Sequence, residues 1–137
     1  MGQQQLLLII LGVIIVGIAV AVGINMFTAS ASAANRDAVT SDLANLASMA
    51  QQFYRRPAAM GGGNNTFTGW TLPSQLDTTA NGIYSLDTSS GSQTVVIIGV
   101  GTEPGNDPAY TNTSGGPGLV EVHTTVTSTT IATVVSN

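Results

Sequence analysis

The first feature that constrains the fold is an unbroken apolar segment near the start of the chain. Every residue from Leu6 to Ile24 is apolar or glycine (LLLIILGVIIVGIAVAVGI). At ~1.5 Å per residue, a helix of this segment is ~28 Å long, close to the hydrocarbon thickness of a bilayer. Lipid or a protein core forces the backbone to satisfy its own hydrogen bonds, so the segment is predicted to be helical. The remainder of the chain is too short to wrap it, and something outside one chain therefore has to cover this helix.

The apolar segment has two other interpretations. The triplets Ala29-Ser30-Ala31 and Ala31-Ser32-Ala33 resemble the small-residue cleavage site of a signal peptide. The apolar run is longer than a usual signal core, however, and no basic segment precedes it, so we expect the segment to stay in the mature protein. A simple membrane anchor remains open as the second alternative.

The next segment, residues 36–56, has the pattern of an amphipathic helix. Apolar side chains recur at spacings of four and three residues, which places them on one helical face. They are Val39, Leu43, Leu46, Ala50 and Phe53. No proline precedes Pro57, and Pro57 with Gly61–Gly63 ends the pattern. We therefore predict one helix of about 50 residues, apolar all round in its first half and amphipathic in its second.

The remaining residues, 57–137, are predicted to form a small β-rich head. Glycine and proline separate short β-prone runs. The candidate strands are Thr66–Leu72, Gly82–Asp87, Thr94–Val100, Leu119–Thr127 and Thr130–Val135. The run from Val95 to Ile98 is apolar on both faces and belongs at the centre of a sheet. Leu119–Thr127 alternates as a strand with one buried face does.

The predicted fold is α+β, with the long N-terminal helix packed on a small antiparallel sheet. Residues 1–35 form the apolar segment of a membrane or filament core, residues 36–56 pack on the head, and residues 57–137 are the head itself. The apolar stripe of the second helix half matches the sheet face that needs cover.

The chain begins with MGQQQL, and an uncharged run, an amphipathic helix half and a β-rich end follow. In this plan it resembles the type IV pilin family and its pseudopilin relatives. The resemblance implies a structural subunit of an extracellular helical filament that serves adhesion, surface contact or motility. It implies storage in the inner membrane, handling by a pilus assembly machinery, and many copies of the chain as partners. A pseudopilin or minor pilin of a secretion system, or a membrane-anchored binding module without a polymer, are the alternatives.

The resemblance also indicates which residues make the filament contacts. They are Met1, Gln5, Leu6, Ile10, Val13, Gly17, Ala21, Gly23 and Phe27. Either Met1 is the mature N-terminus or Gly2 is the cleavage glycine; we favour the first. The family usually has Glu at the fifth mature position, where this chain has Gln5. If the helix unwinds locally, as in several pili, glycine makes Gly17–Gly23 the expected place.

Composition excludes several other classes of function. Charged residues make up 7% of the chain, with three Arg and no Lys, which argues against nucleic acid as a partner. Without cysteine there is no disulfide, thiolate metal site or thiol nucleophile. His123 is the sole histidine, and it lies among Thr and Val on a predicted strand. It shares a strand face with Glu121, which favours a cross-strand polar pair over an acid–base couple. We therefore expect no enzymatic activity and no cofactor.

Two kinds of peripheral site were considered. A C-terminal loop of a related pseudopilin binds calcium, so Glu103 and Asp107 are weak calcium candidates here, although a calcium site takes 6–8 oxygens. Asn64 and Asn112 begin triplets of the N-glycosylation pattern and are candidate sugar attachment sites.

Overall fold

The computed structural model describes residues 2–88, 90–107 and 118–137. The helix α1 spans Gly2–Arg55, and a 3-10 turn follows at Ala58–Met60. Its 54 residues make it ~81 Å long. Pro57 lies two residues beyond the helix and prevents its continuation. Gly61, whose φ of 74° is left-handed, ends the 3-10 turn that follows.

Four strands form one antiparallel sheet, in the order in which they occur along the chain. They are β1 (Gly82–Leu86), β2 (Thr94–Pro104), β3 (Leu119–Thr127) and β4 (Ile131–Val135). The predicted α+β architecture is confirmed. The apolar run from Val95 to Ile98 lies in β2, which pairs with strands on both sides, as its sequence predicted. The edge strand β4 is exposed along its whole length.

The predicted strand Thr66–Leu72 is wrong. This segment is a turn and extended chain that runs across the end of α1. Phe67 is buried in the core and its ring lies 4.7 Å from that of Tyr54, so the β-prone composition reflects packing rather than strand pairing. Gly69, with φ of 84°, turns the chain there.

The core lies between the second half of α1 and the inner face of the sheet. Four of the five predicted helix residues, Val39, Leu43, Leu46 and Ala50, are fully or almost fully buried. The prediction for Phe53 is wrong: it is only half-buried, and Ala47 is the fifth buried residue of the helix. Ala47 fits because the helix lies close to the sheet. At Gly99 of β2, a Cβ atom would come 2.8 Å from Val39 Cγ1, so glycine permits this approach.

The outer face of the sheet is more buried than the sequence predicts. β3 was predicted to bury one face only, and Val120, Val122, Thr124 and Val126 do bury that face. Glu121, on the opposite face, is nevertheless fully buried as well. Ile98 of β2 pairs with His123 and is almost fully buried on the same side. Alternation along one strand does not reveal whether a second layer covers the polar side.

Candidate assembly surface

The N-terminal part of α1 projects from the head without contacts that bury it. From Leu6 to Phe27 the large apolar side chains are between 48% and 78% exposed. By length and composition this helix can cross a membrane, and none of its most apolar window is buried. We call residues 2–34 of α1 the stalk. Its exposed apolar surface is continuous around the helix, far beyond what a soluble monomer normally presents.

The predicted contact residues lie along this surface. Gln5, Leu6, Ile10, Val13, Gly17, Ala21, Gly23 and Phe27 are all exposed helical residues, whereas Met1 lies outside the described part of the chain. The helix is uninterrupted through Gly17–Gly23. A Cβ atom at Gly17 or Gly23 would meet nothing within 4 Å. These glycines are therefore free to let another helix approach closely.

The stalk ends at Ala34, and the next residue, Asn35, fixes the helix to the head. Its Nδ2 donates to the Asn81 carbonyl at 2.8 Å, and its Oδ1 accepts from the Thr102 amide at 3.1 Å. The side chain lies flat against Gly101, where a Cβ atom would overlap Asn35 Oδ1. Sequence reasoning missed Asn35. The only signal was its place as the last residue before the first charge, and its partners are distant in the sequence, Asn81 before β1 and Thr102 near the end of β2.

A second polar contact joins the helix to the head about two turns further on. The Asp42 carboxylate accepts hydrogen bonds from Tyr84 Oη at 2.7 Å, Asn81 Nδ2 at 2.9 Å and Thr79 Oγ1 at 3.2 Å. Partial burial alone would raise the pKa of Asp42, but the three donors together outweigh burial and lower the pKa below its usual value. Burial, together with the bond to Asp42, raises the pKa of Tyr84. The carboxylate thus stays charged and holds the donors to the helix.

Further along the helix, two more polar side chains contact the head. Gln51 donates to the Thr127 carbonyl at 3.1 Å, and Tyr54 Oη donates to Gln93 Oε1 at 2.8 Å. Together with Asn35 and Asp42, they space polar contacts along the whole packed half. In the stalk, by contrast, Thr28 donates to the Ile24 carbonyl of the same helix, and no stalk side chain hydrogen-bonds to the described residues of the head.

The single histidine pairs with a buried carboxylate. His123 Nε2 lies 2.5 Å from Glu121 Oε1, and the His123 side chain is 28% exposed while that of Glu121 is fully buried. The predicted polar pair exists, but it runs along one strand rather than across two. His123 follows Glu121 by two residues, which places both on the outer face of β3. The expected absence of catalysis stays a prediction.

The predicted glycosylation and calcium sites are the remaining candidates. Asn64 is exposed in the turn after α1 with φ of 50°, where a sugar could be attached, and Asn112 lies outside the described residues. The Asp107 amide donates to Asn137 Oδ1 at 2.7 Å, and the Glu103 amide lies 3.4 Å from Asn35 Oδ1. Across residues 2–88, 90–107 and 118–137, no group of three or more acidic, histidine or cysteine side chains could hold a metal ion. The calcium and glycosylation candidates stay predictions.

An exposed apolar strand was not anticipated. Ile131, Val134 and Val135 of β4 are 41%, 63% and 43% exposed. The strand lies at the sheet edge and carries no charge, proline or bulge, the features that usually protect such an edge. In the sequence it cannot be told from an ordinary core strand, because only the order of strands makes it an edge.

Comparison with protein-family models, with curated proteins and with solved structures gives no match for this chain. The pilin-like character therefore lies in its shape, a long apolar N-terminal helix packed on a small antiparallel sheet.

Proposed function

We propose that this chain is the structural subunit of an extracellular, type IV pilus-like helical filament. The observation that carries the proposal is the exposure of the stalk from Leu6 to Phe27, where the large apolar side chains are not buried by the described part of the head. In the membrane, lipid covers this surface. Outside the membrane, stalks of other copies replace the lipid, and close packing at small residues decides the strength of association.

The geometry of one subunit supports an open polymer. The stalk projects along its own axis beyond the head, so copies could bundle their stalks side by side with successive heads staggered along the bundle. Identical contacts repeated head to tail generate a helical filament when the rotation does not close. The polar contacts at Asn35 and Asp42 support the same proposal, because they keep the head from sliding along the helix when neighbours are added.

The edge strand β4 supports contacts between heads as well. Its exposed Ile131 and Val135 lie on one face of the sheet and its exposed Val134 on the other, so this edge adds apolar surface separate from the stalk. Bundled stalks would bring neighbouring heads close to one another. A neighbouring head on β4 would cover both its apolar side chains and its unpaired backbone groups.

Electron microscopy of sheared cell-surface material, with peptide identification, tests the proposal. We expect abundant long fibres composed of this chain. Short, low-copy periplasmic structures would instead identify a pseudopilin or minor pilin. Recovery of the chain solely as a detergent-soluble monomer in the membrane fraction would contradict the filament proposal and leave a membrane-anchored binding module.

A further inference from the structure

A cleft with a mixed polar and apolar lining lies where α1 leaves the head. One wall is the helix surface that includes Thr28, Ser32 and Arg36, and the other wall is the end of β2 at Pro104 with the following residue Asn106. Its volume is about 390 Å³. The cleft is therefore large enough for a phosphate group with its ester oxygens.

Arg36 supplies the only positive charge in the helix before its last turn, because the other arginines are Arg55 and Arg56. One guanidinium nitrogen, Nη2, donates to Asn106 Oδ1 at 3.0 Å, which orients the group. Nε is buried and has no hydrogen-bond partner among the residues that the structure describes. No carboxylate forms an ion pair with Arg36 in the described ranges, and Nη1 makes no hydrogen bond there. The guanidinium is thus held in place, and its charge and its Nη1 donors are left for an anion.

The end of the cleft nearer the apolar run lies at the depth of the headgroup layer of a bilayer. If the run from Leu6 to Ile24 crosses the hydrocarbon core, its length of ~28 Å is close to the thickness of that core. Thr28, which lines the cleft, then lies ~6 Å beyond the core boundary, inside a headgroup layer ~5–8 Å thick, and Ser32 lies ~12 Å beyond it. Side chains of a helix tilt towards its N-terminus, which is the membrane side of this helix. The Arg36 side chain therefore extends from the head towards the headgroup layer.

We propose that the cleft binds the phosphate of an anionic phospholipid while the stalk is in the membrane. The planar guanidinium of Arg36 matches two phosphate oxygens, and the Ser32 hydroxyl is placed to donate a further hydrogen bond. The bound headgroup would fix the depth of the head above the bilayer and would be released when the stalk leaves the lipid. The inference rests on the membrane-held stage of the proposed function and does not depend on polymerisation.

The test uses the full chain in detergent micelles that contain a limiting amount of phosphatidylglycerol. Native mass spectrometry counts the lipid that stays bound to wild type, Arg36→Gln and Arg55→Gln. Arg55→Gln removes the same charge at the exposed end of the helix, ~28 Å away. We expect Arg36→Gln to weaken retention by about tenfold or more and Arg55→Gln to leave it unchanged. Circular dichroism and Trp70 fluorescence confirm that each variant is folded.

Two further measurements separate the sources of phosphate. Phosphatidylcholine should be retained less than phosphatidylglycerol, because its choline cation repels Arg36, and excess inorganic phosphate should fail to displace the lipid. Equal retention by wild type and Arg36→Gln would overturn the inference, as would equal losses in both arginine variants. Ready displacement by inorganic phosphate would identify a site for soluble anions instead and would also overturn it.

The filament proposal is tested separately, by measuring the fibre yield of the same variants. Fibres of normal yield together with unchanged lipid retention in Arg36→Gln would reject the lipid site alone. Loss of lipid in Arg36→Gln without fibres from any preparation would reject the filament alone. A chain that does not insert into lipid bilayers would reject the lipid site at its first step.

Discussion

The two halves of α1 are one continuous helix with opposite relations to the rest of the molecule. All the buried residues of this helix lie between Val39 and Ala50, whereas the large apolar residues from Leu6 to Phe27 are all exposed. The packed half has fewer large apolar side chains but is amphipathic, and polar contacts such as that of Asn35 fix it to the head. The comparison teaches that the arrangement of polar residues, and not the amount of apolar surface, decides which half the head covers.

The difference follows from the chemistry of the sheet face. An antiparallel sheet of this size offers one apolar surface, about as wide as one helix stripe. A helix half that is apolar all round would leave most of its surface bare even if it packed there. The amphipathic half buries its apolar stripe against the sheet and leaves its polar side exposed to water. The stalk is consequently left for lipid or for other copies.

The largest expected effect concerns the stalk. We predict that Ile15→Asp or Val16→Asp abolishes filament assembly, because a carboxylate at the centre of an apolar helix costs about 2.5–3.5 kcal/mol even in a membrane. The head should remain folded. Fibre yield by electron microscopy and Trp70 fluorescence measure the two outcomes.

Thr68→Asp, which adds the same charge to an exposed turn of the head, is the matched control and should assemble normally. Normal fibres from Ile15→Asp would contradict a filament core built from stalks.

The second effect concerns matched leucines in the two halves. Leu43 is fully buried against the sheet, whereas Leu8 is 65% exposed. Leu43→Ala should lower the free energy of unfolding of the head by about 2–5 kcal/mol, because it leaves a cavity. Leu8→Ala should change it by less than about 0.5 kcal/mol. Urea denaturation of the full chain in detergent, followed by Trp70 fluorescence, makes the comparison; equal effects would mean that the head senses the stalk.

The third effect concerns glycines. In Gly99→Ala the new methyl would lie 2.8 Å from Val39 Cγ1 and 3.1 Å from Leu43 Cδ1. We expect this overpacking to destabilise the head by about 1–3 kcal/mol. Gly17→Ala meets no atom within 4 Å and should leave head stability unchanged. Thermal unfolding of both variants in the same detergent checks the pair, and a head destabilised by Gly17→Ala would show contacts that the monomer lacks.

Much of this comparison was readable from the sequence because it depends on periodicity within a few turns. The unbroken run to Ile24, the spacing of Val39 and Leu43, and the stop at Pro57 each act locally. The helix and three of the five candidate strands were placed to within one residue at each end. β2 continues to Pro104, four residues beyond its predicted end, through an irregular register after Val100.

What could not be predicted depends on residues that meet only in the folded chain. Asn35 contacts residues 46 and 67 positions away, and no local pattern marks an amide for that role. The burial of Glu121 and the exposure of β4 depend on which layers and edges the topology leaves open. Thr66–Leu72 was misjudged because β-prone residues also suit a chain that packs across a helix end.

The smallest expected effect on stability concerns the polar contact at Asp42. The contribution of this contact is recognised by its dependence on pH. Asp42→Asn places an amide beside three donors, so we expect it to lower the free energy of unfolding at neutral pH by about 1 kcal/mol. The folded-state pKa of Asp42 lies below its ordinary value of 3.8, so its contribution is fully present above that pH. It is lost as the pH falls through the lowered folded-state pKa.

Wild type and Asp42→Asn should therefore differ in stability at neutral pH and converge in acid. Asp37, which is exposed on the same helix without a described contact to the head, provides the control variant Asp37→Asn. Urea denaturation across this pH range would show the convergence in Asp42→Asn, while the control follows wild type. A difference between wild type and Asp42→Asn that persists below the folded-state pKa would assign the loss to packing rather than to the charged hydrogen bonds. In that case the apolar stripe alone would distinguish the packed half of α1 from the stalk.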